Sequence, residues 1–466
     1  GCGGISFGMS AEGASASHNS GTNVAAAYAA RLLASLGLNS SPISSASEQH
    51  PAIAWAASGL MELAGLADGP ALMCPVPLAA IADGALAALA SLAPEGSFDG
   101  LSGARLLSER AAIMNLHRAG PVSPGGACRL YQASDGWIAL NLAREEDRDL
   151  LPAWLELEGV PESDALPHLI ALRRSHELVE QGRLLGLAVA ADEAPNPKPG
   201  GWFALSVEGK PRQSSKGRAL RVVDLSSLWA GPLCSHLLQR LGAEVIKVES
   251  PARPDGARAG HPGFFDLLNA GKKCVAIDPR GESGQQQLRA LIASADIVIE
   301  GSRPRGLRQL GIDAEALVRD TPGLTWVAIS GHGRGEPQEN WVAYGDDAAV
   351  AAGLSHLMYQ ATGQHLICGD AIADPLTGLH AALAAWASHI NGGGRLLPLA
   401  LSKVTAHCIA FDLPESEAAL RERQQQWTTL AHESGVRKPS ARTPSGYASP
   451  LGADTAAVLA GLDITC

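Results

Sequence analysis

Aromatic side chains make up only 4% of this 466-residue chain, so its cores must be filled with Ala, Leu and Val. Long apolar runs are missing too. A membrane-spanning helix needs roughly 18 uninterrupted apolar residues, and the longest candidate, Leu78 to Ala93, is broken by Asp83. Positive charge is short: 36 Lys and Arg stand against 47 Asp and Glu, a net charge of −11. That argues against a nucleic-acid surface, which depends on clustered cations, while leaving room for a local basic pocket around a phosphorylated cofactor. The eight cysteines (Cys2, Cys74, Cys128, Cys234, Cys274, Cys368, Cys408 and Cys466) form no CxxC and have no close His pairing. No metal is expected, and thiols in a reducing, cytoplasmic setting are. Three catalytic signatures are also absent: the Walker A loop, GxSxG and the dinucleotide GxGxxG. In VVDLSSLWAGPLC a single glycine, Gly231, stands where close approach of a pyrophosphate needs three.

What is present suggests five segments. Residues 1–20 are Gly/Ser-rich and read as disordered, with neither the basic nor the apolar part of a signal peptide. Residues 21–117 carry helical patterns at Asn23–Leu38, Ala52–Leu66 and Leu78–Leu92. Residues 118–205 change character. Turn signals at Pro124-Gly125-Gly126 and Asp135-Gly136 separate short β-prone runs, and helices are expected at Glu145–Leu157 and Leu166–Leu187, then a short strand at Trp202–Val207. Residues 206–410 alternate strand and helix, with strands at Leu220–Leu225, Glu244–Glu249, Cys274–Ile277, Ile297–Glu300 and Trp326–Ser330. Buried β-runs separated by helices imply an α/β fold, a Rossmann-like parallel sheet covered on both faces. Residues 411–466 hold a charged helix, a linker and a short final helix.

The two halves resemble each other in pieces. ARLLASLGLN parallels SHLLQRLGAE, with Gly37 and Gly242 standing 205 residues apart. ASGLMELAG parallels AAGLSHLMY, with Gly59 and Gly353 294 apart; the same spacing sets Gly84 on Gly378, Leu86 on His380 and Ala80 on Asp374. Residues 21–117 therefore read as a reduced copy that has lost its strands.

The stretch GDAIADPLTGLHAAL, Gly369 to Leu383, reads as an acidic loop entering an Ala/Leu helix. Asp374 followed by Pro375 predicts a helix cap. Its replacement by Ala80 in the reduced copy suggests more than capping, since a duplicated helix would benefit equally from a cap. His332, in the flexible turn SGHGRG after a strand, and His380, inside the helix, read as a loop and a packed residue.

DLSSLWAGPLCSHLLQRLGAEVIKVE, FFDLLNAGKKCVAID, ADIVIEGSRPRGLRQLG, LTWVAISGHGRG and GDAIADPLTGLHAAL, in that order, resemble the class III CoA-transferases, also called the formyl-CoA/carnitine-CoA (CaiB/BaiF) family. SPGGACRL…DGWIALNLA is similar to that family's small α+β domain, though here it precedes the sheet domain, a rearranged order. The resemblance implies transfer of coenzyme A from an acyl-CoA to a carboxylic acid, and a homodimer or an internal pseudo-dimer. It makes Asp374 the nucleophile, with Gly125 and Gly126 folding over the intermediate to offer backbone N–H groups. For CoA it points to Ser227, Leu228, Trp229, Ala230, Lys272, Ile277, Gly301, Ser302, Arg303 and Gln309. Two positions depart from the family: Gly301-Ser302 replaces Asn-Phe, and Gln309 replaces a second Arg. The family's α-methylacyl-CoA racemases place a His where this chain has Ala343–Asp347, which favours transfer. A non-catalytic acyl-CoA binding protein is the remaining alternative.

Overall fold

A computed structural model describes residues 23–39, 48–212, 217–301 and 304–464; the expected loose N-terminus, Ser302 and Arg303 lie outside the described residues. Helix α1 (Val24–Ser35) starts at Asn23, whose side chain accepts from the Ala26 N–H at 3.0 Å, and buries Ala25, Tyr28, Ala29, Leu32 and Leu33 at helical spacing. The second predicted helix is split. α2 (Pro51–Ser58) ends at Gly59, whose φ of +89° stops the helix before a 3₁₀ turn at Leu60–Leu63. α3 (Leu78–Ser91) is apolar on nearly every side and correspondingly buried. Short helices α4 (Gly103–Leu106) and α5 (Glu109–Met114) follow.

The β-prone runs form β1 (Cys128–Gln132) and β2 (Trp137–Asn141), an antiparallel hairpin that β3 (Ala188–Ala191) joins as a third strand. Between them lie α6 (Leu151–Leu155), α7 (Leu166–Ala171) and α8 (Ser175–Leu185). The single helix expected over Leu166–Leu187 is interrupted because the Asp135 carboxylate accepts from the Ser175 N–H at 2.7 Å and starts a new helix there.

The second sheet contains β4 (Val207–Glu208), β5 (Arg221–Asp224), β6 (Glu244–Glu249), β7 (Lys273–Ala276), β8 (Ile297–Glu300), β9 (Thr325–Ser330) and β10 (Arg395–Ala400) in the order β4-β10-β9-β8-β5-β6-β7. Every neighbour pair is parallel except β4 with β10. Helices α9 (Ala230–Arg240), α10 (Pro262–Asn269), α11 (Glu282–Ser294), α12 (Pro304–Gln309), α13 (Ala314–Asp320), α14 (Gly345–Ala351), α15 (Leu354–Thr362) and α16 (Ala373–Ile390) are interleaved. α17 (Leu401–Ala410), α18 (Glu417–Ser434) and α19 (Thr455–Gly461) complete the chain.

β10 runs against the sequence reading, which left Arg395–Ala400 without a strand. Three glycines precede it and Pro398 lies inside it, and Pro within an apolar run argues against a strand. Here β4 pairs only with Arg395 and Leu396, and beyond it the Ala204 N–H donates to the Pro398 carbonyl at 3.1 Å, an edge contact that does not call on the missing N–H. The short strand expected at Trp202–Val207 shrinks to the two residues of β4, and Trp202 is buried beside Phe203 and His380 instead.

Alternate residues of each strand enter different cores. Val222, Val245, Ile297, Ile299, Val327 and Ile329 face the larger cluster, whereas Val223, Ile246, Val298 and Trp326 face the smaller one with α11 and α13 residues Leu288, Leu291 and Val318. The larger cluster also takes in α9, α16 and the N-terminal helices α1 and α3, so the described residues before 118 share one continuous core with that face of the sheet.

Candidate active site

Sheet order reverses around β5 and β8, whose C-terminal ends stand side by side. In open α/β sheets such a switch point is where ligands bind. The loops leaving the two strands touch: a Cβ on Gly301 would lie 3.1 Å from the Ser226 side chain. The 225–230 loop is pinned from beneath. Buried Asp224 accepts from the Ser226 backbone N–H at 2.9 Å and from the Ser226 and Ser235 hydroxyls, and the Asp255 carboxylate accepts from the Leu228 N–H at 2.9 Å. Asp255 is in turn paired with buried Lys247 at 2.8 Å. Leu228 takes a φ of +70°, uncommon for a side chain of its size, and is 40% exposed.

α9 follows directly, and its Ala230 N–H lies near enough to Asp374 to favour the charged carboxylate. Asp374 is not the helix cap that Asp-Pro predicts. The cap position belongs to Ile372, no side chain bonds there, and Asp374 lies inside the first turn of α16. It is half-buried at its surface but set deep among protein atoms. That desolvation lifts its pKa to about 7, with Asp347 and Asp370 adding to the rise while Arg110 and the Ala230 N–H oppose it. The chain turns sharply before it, with Ala371 at φ +44°.

Three more carboxylates crowd this helix start. Asp346 and Asp347 lie in the first turn of α14. Asp346 accepts from the Ala371 N–H at 2.7 Å, and Asp347 accepts from Asn141 Nδ2 at 2.8 Å and the Tyr344 N–H at 3.0 Å. Gly345 is required beside them: a Cβ there would stand 2.3 Å from Asp374 Oδ2. Burial raises the pKa of Asp346, of Asp370 and of Asp347, the last to about 7. The countercharge is Arg110, from α5, whose Nη1 donates to the fully buried Asp370. A Cβ on Gly125 would lie 3.3 Å from Arg110 Nη2 and 3.9 Å from Asp370 Oδ1, so the glycine turn before β1 rests over this ion pair. Gly126, at φ +84°, is open around its α-carbon.

Ser227, Leu228, Trp229, Ala230 and Gly301 are thus gathered at the switch point, next to Asp374. Ser227 and Gly301 are exposed, and Trp229 is buried edge-on against Phe264 at 5.3 Å. Lys272 departs from its expected role. It is 1% exposed, and its Nζ is held by the Pro232 carbonyl at 2.9 Å, Ser235 Oγ at 2.6 Å and Asn269 Oδ1 at 3.0 Å, with Asp224 at 3.5 Å. An ammonium so enclosed fixes α9 and has no donor facing a phosphate. Ile277 likewise points into the smaller core. Gln309 is exposed in a cleft of about 470 Å³ with Arg305, Arg308, Glu336, Glu339 and Asn340, where Arg308 is bridged to Glu339 at 3.1 Å and Glu315 at 3.4 Å. His332 is buried edge-on to Trp341, and His380 meets the Tyr28 hydroxyl at 2.6 Å. Among the described residues no cluster of three or more His, Cys, Asp or Glu is placed to hold a metal, and no helix is long and apolar enough to cross a membrane.

Arg110, Gly345, Asp346, Asp347 and Asp370 were not predicted as site residues. The acidic doublet Asp346-Asp347 and the pair Asp370 and Asp374 carry a visible signal, two acidic turns on one chain. Arg110 carries none, because its position 260 residues before Asp370 becomes meaningful only when the chain folds.

Comparison with known proteins agrees with the resemblance read from the motifs. Residues 218–441 match the family model for CoA-transferase family III. The chain is 30% identical over 217 residues to a succinate–glutarate CoA-transferase from Agrobacterium fabrum, covering 43% of this chain and 54% of that one. It is 31% identical over 224 residues to a formyl-CoA:oxalate CoA-transferase from Rhodopseudomonas palustris, covering 46% and 50%. A solved structure of a CAIB/BAIF family protein from Brucella suis is 28% identical, with 49% and 60% covered and a TM-score of 0.38. The chain spans about half the length of these curated relatives. Over residues 218–441, just under half of its length, the chain is thus similar to CoA-transferase family III.

Proposed function

We propose that this chain transfers CoA from an acyl-CoA to a carboxylic acid, with Asp374 as nucleophile. The observation that carries the reading is the setting of Asp374: a desolvated carboxylate in the first turn of a long helix that packs on α9 beside Ala230, at the loops of the sheet's switch point. In that setting the ionised carboxylate attacks the thioester carbonyl and expels CoA thiolate, leaving a mixed anhydride. Thiolate attacks the aspartyl carbonyl, releasing the donor acid and leaving an aspartyl thioester. The acceptor carboxylate attacks that thioester, expelling CoA thiolate and forming a second anhydride. Attack of the thiolate on the acceptor carbonyl then yields the new acyl-CoA and regenerates Asp374. Gly125 and Gly126, above the Arg110–Asp370 pair, supply backbone N–H groups to the oxyanion, and Ser227–Ala230 with Gly301 border the CoA arm. The same proposal makes residues 23–117 an internal partner for the sheet domain.

The test is trapping. Wild-type protein incubated with succinyl-CoA and glutarate, or formyl-CoA and oxalate, and quenched with hydroxylamine is expected to yield a hydroxamate on the peptide containing Asp374. Asp374→Asn is expected to yield none and to lose CoA exchange. Full exchange retained in Asp374→Asn would refute the reading.

A further inference from the structure

Arg110 lies outside the stretch that matches CoA-transferase family III, in the half of the chain that retains helices and no parallel sheet. It nevertheless reaches the reaction centre assigned above. Its neighbour Glu109 fastens α5 to the C-terminal region: Glu109 Oε1 accepts from Arg442 Nε at 2.6 Å and Oε2 from Nη2 at 2.9 Å. α5 also packs on α10. The backbone beneath Arg110 is therefore held from two sides, and its side chain, 24% exposed, is committed on one nitrogen to Asp370 while another faces the glycine turn at Gly125.

We propose that Arg110 is a positioning residue of the transfer reaction, contributed by the reduced half, that clamps Asp370, seats the Gly125 turn over the site and keeps Asp374 in its nucleophilic form. This rests on the assignment of Asp374 as nucleophile. The charged groups around Asp374 make the need for a cation concrete. Asp347 faces it from α14 and Asp370 from the preceding loop, with Asp346 of α14 set against Asp370; α9 offers the Ala230 N–H, and α5 offers Arg110. Arg183, from α8, stacks over Trp341 at 4.1 Å and its charge opposes the rise at Asp347, while the buried Cys128 thiol is raised further by both α14 carboxylates. Burial raises the pKa of Asp374 most, Asp347 and Asp370 add to it, and the Arg110 guanidinium is the charge that opposes them. A planar fork also holds two partners at fixed angles, which an ammonium does not.

The test compares wild type, Arg110→Gln and Arg110→Lys as full-length proteins, with thermal unfolding recorded for each. The pH profile of kcat/KM is measured alongside carbodiimide labelling of Asp374 against pH, which follows its protonation without requiring turnover. In Arg110→Gln the acidic limb and the labelling midpoint are expected to move up by about one pH unit, with kcat down roughly 10- to 100-fold. Arg110→Lys is expected to keep the midpoint near that of wild type while kcat falls, because charge is preserved and the fork is lost. If Arg110→Gln unfolds, the lysine variant decides: wild-type kcat and midpoint in it would overturn the clamp. Unmoved midpoints in a folded Arg110→Gln would overturn the proposal as well. Failure of the underlying reading looks different: no hydroxamate then forms on Asp374 in wild type, whatever stands at position 110.

Discussion

Helix α3 crosses α1 at Gly84, where an added Cβ would lie 2.5 Å from the Ala25 carbonyl oxygen; α16 crosses α9 at Gly378, where it would lie 2.8 Å from that of Ala230. Gly59 and Gly353 are matched in the same way. Both take a left-handed φ, +89° and +92°, and both press on a proline backbone, Pro439 Cα at 2.4 Å and Pro195 Cα at 2.5 Å from the added Cβ. These pairs keep the spacings of the sequence repeat. α3 and α16 also pack on each other, and the Trp386 Nε1–H donates to the Leu92 carbonyl at 2.9 Å across 294 residues. At the position of Asp374, however, α3 carries Ala80, 2% exposed. The packing devices persist in both matched helix pairs, while the proposed nucleophile stands in one. The close helix crossing thus needs glycine for steric reasons that do not depend on the chemistry carried one turn earlier.

The largest effect should come from exchanging what differs. Asp374→Asn is expected to lower kcat by roughly 10³-fold or more, read as CoA exchange. Ala80→Asp is expected to add no activity and to destabilise by about 3 kcal/mol, since it buries an unpaired carboxylate; denaturant unfolding measures it. Exchanging what is shared comes next. Gly84→Val and Gly378→Val are each expected to destabilise by about 3 kcal/mol through backbone overlap. Only the second disturbs Ala230, and so only it should raise KM for acyl-CoA beyond the loss of folded protein.

A smaller effect is expected at the one-sided bond between the copies. His380 has Leu86 at its matching position, and Tyr28→Phe leaves its ring nitrogen buried without the hydroxyl, a loss of about 1–2 kcal/mol. The smallest is a pH effect. Burial raises the pKa of Asp346 in the folded chain, so the native state holds that proton more tightly than the unfolded state does. Stability then declines as pH climbs from the ordinary carboxylate range through the raised values, which reach about 7 for Asp347 and Asp374. Asp346→Asn, still able to accept from the Ala371 N–H, should flatten that decline, with its gain in Tm over wild type largest at alkaline pH. A gain largest near pH 4 would contradict this sign.

Strands β5, β6, β8 and β9 were legible because their runs are short, apolar and bounded by helix signals, and the sheet they imply is present. β10 was not, since Pro398 is tolerated there only because its edge partner, Ala204, uses the Pro398 carbonyl and not an N–H. Asp374 was legible as a special residue through its motif and its absent twin, yet misread as a cap, because Asp-Pro reports local preference while Ala371 and Gly345 dictate where the helix begins. Lys272 read as a phosphate ligand because a Lys beside a strand has the same signature whether it turns outward or, as here, inward onto Asp224. Arg110 had no local pattern to show.

The bond between Trp386 and the end of α3 spans 294 residues of chain. At about 5–20 residues per second of synthesis, α3 emerges from the ribosome roughly 15–60 s before α16 exists to cover it. During that interval this largely apolar helix has α1, α2 and α4 as its main neighbours among the described residues. A chain stalled before residue 370 should leave α3 open to protease and to chaperone capture, and release past residue 390 should protect it. Synthesis thus completes the cover of α3 only when α16 follows it.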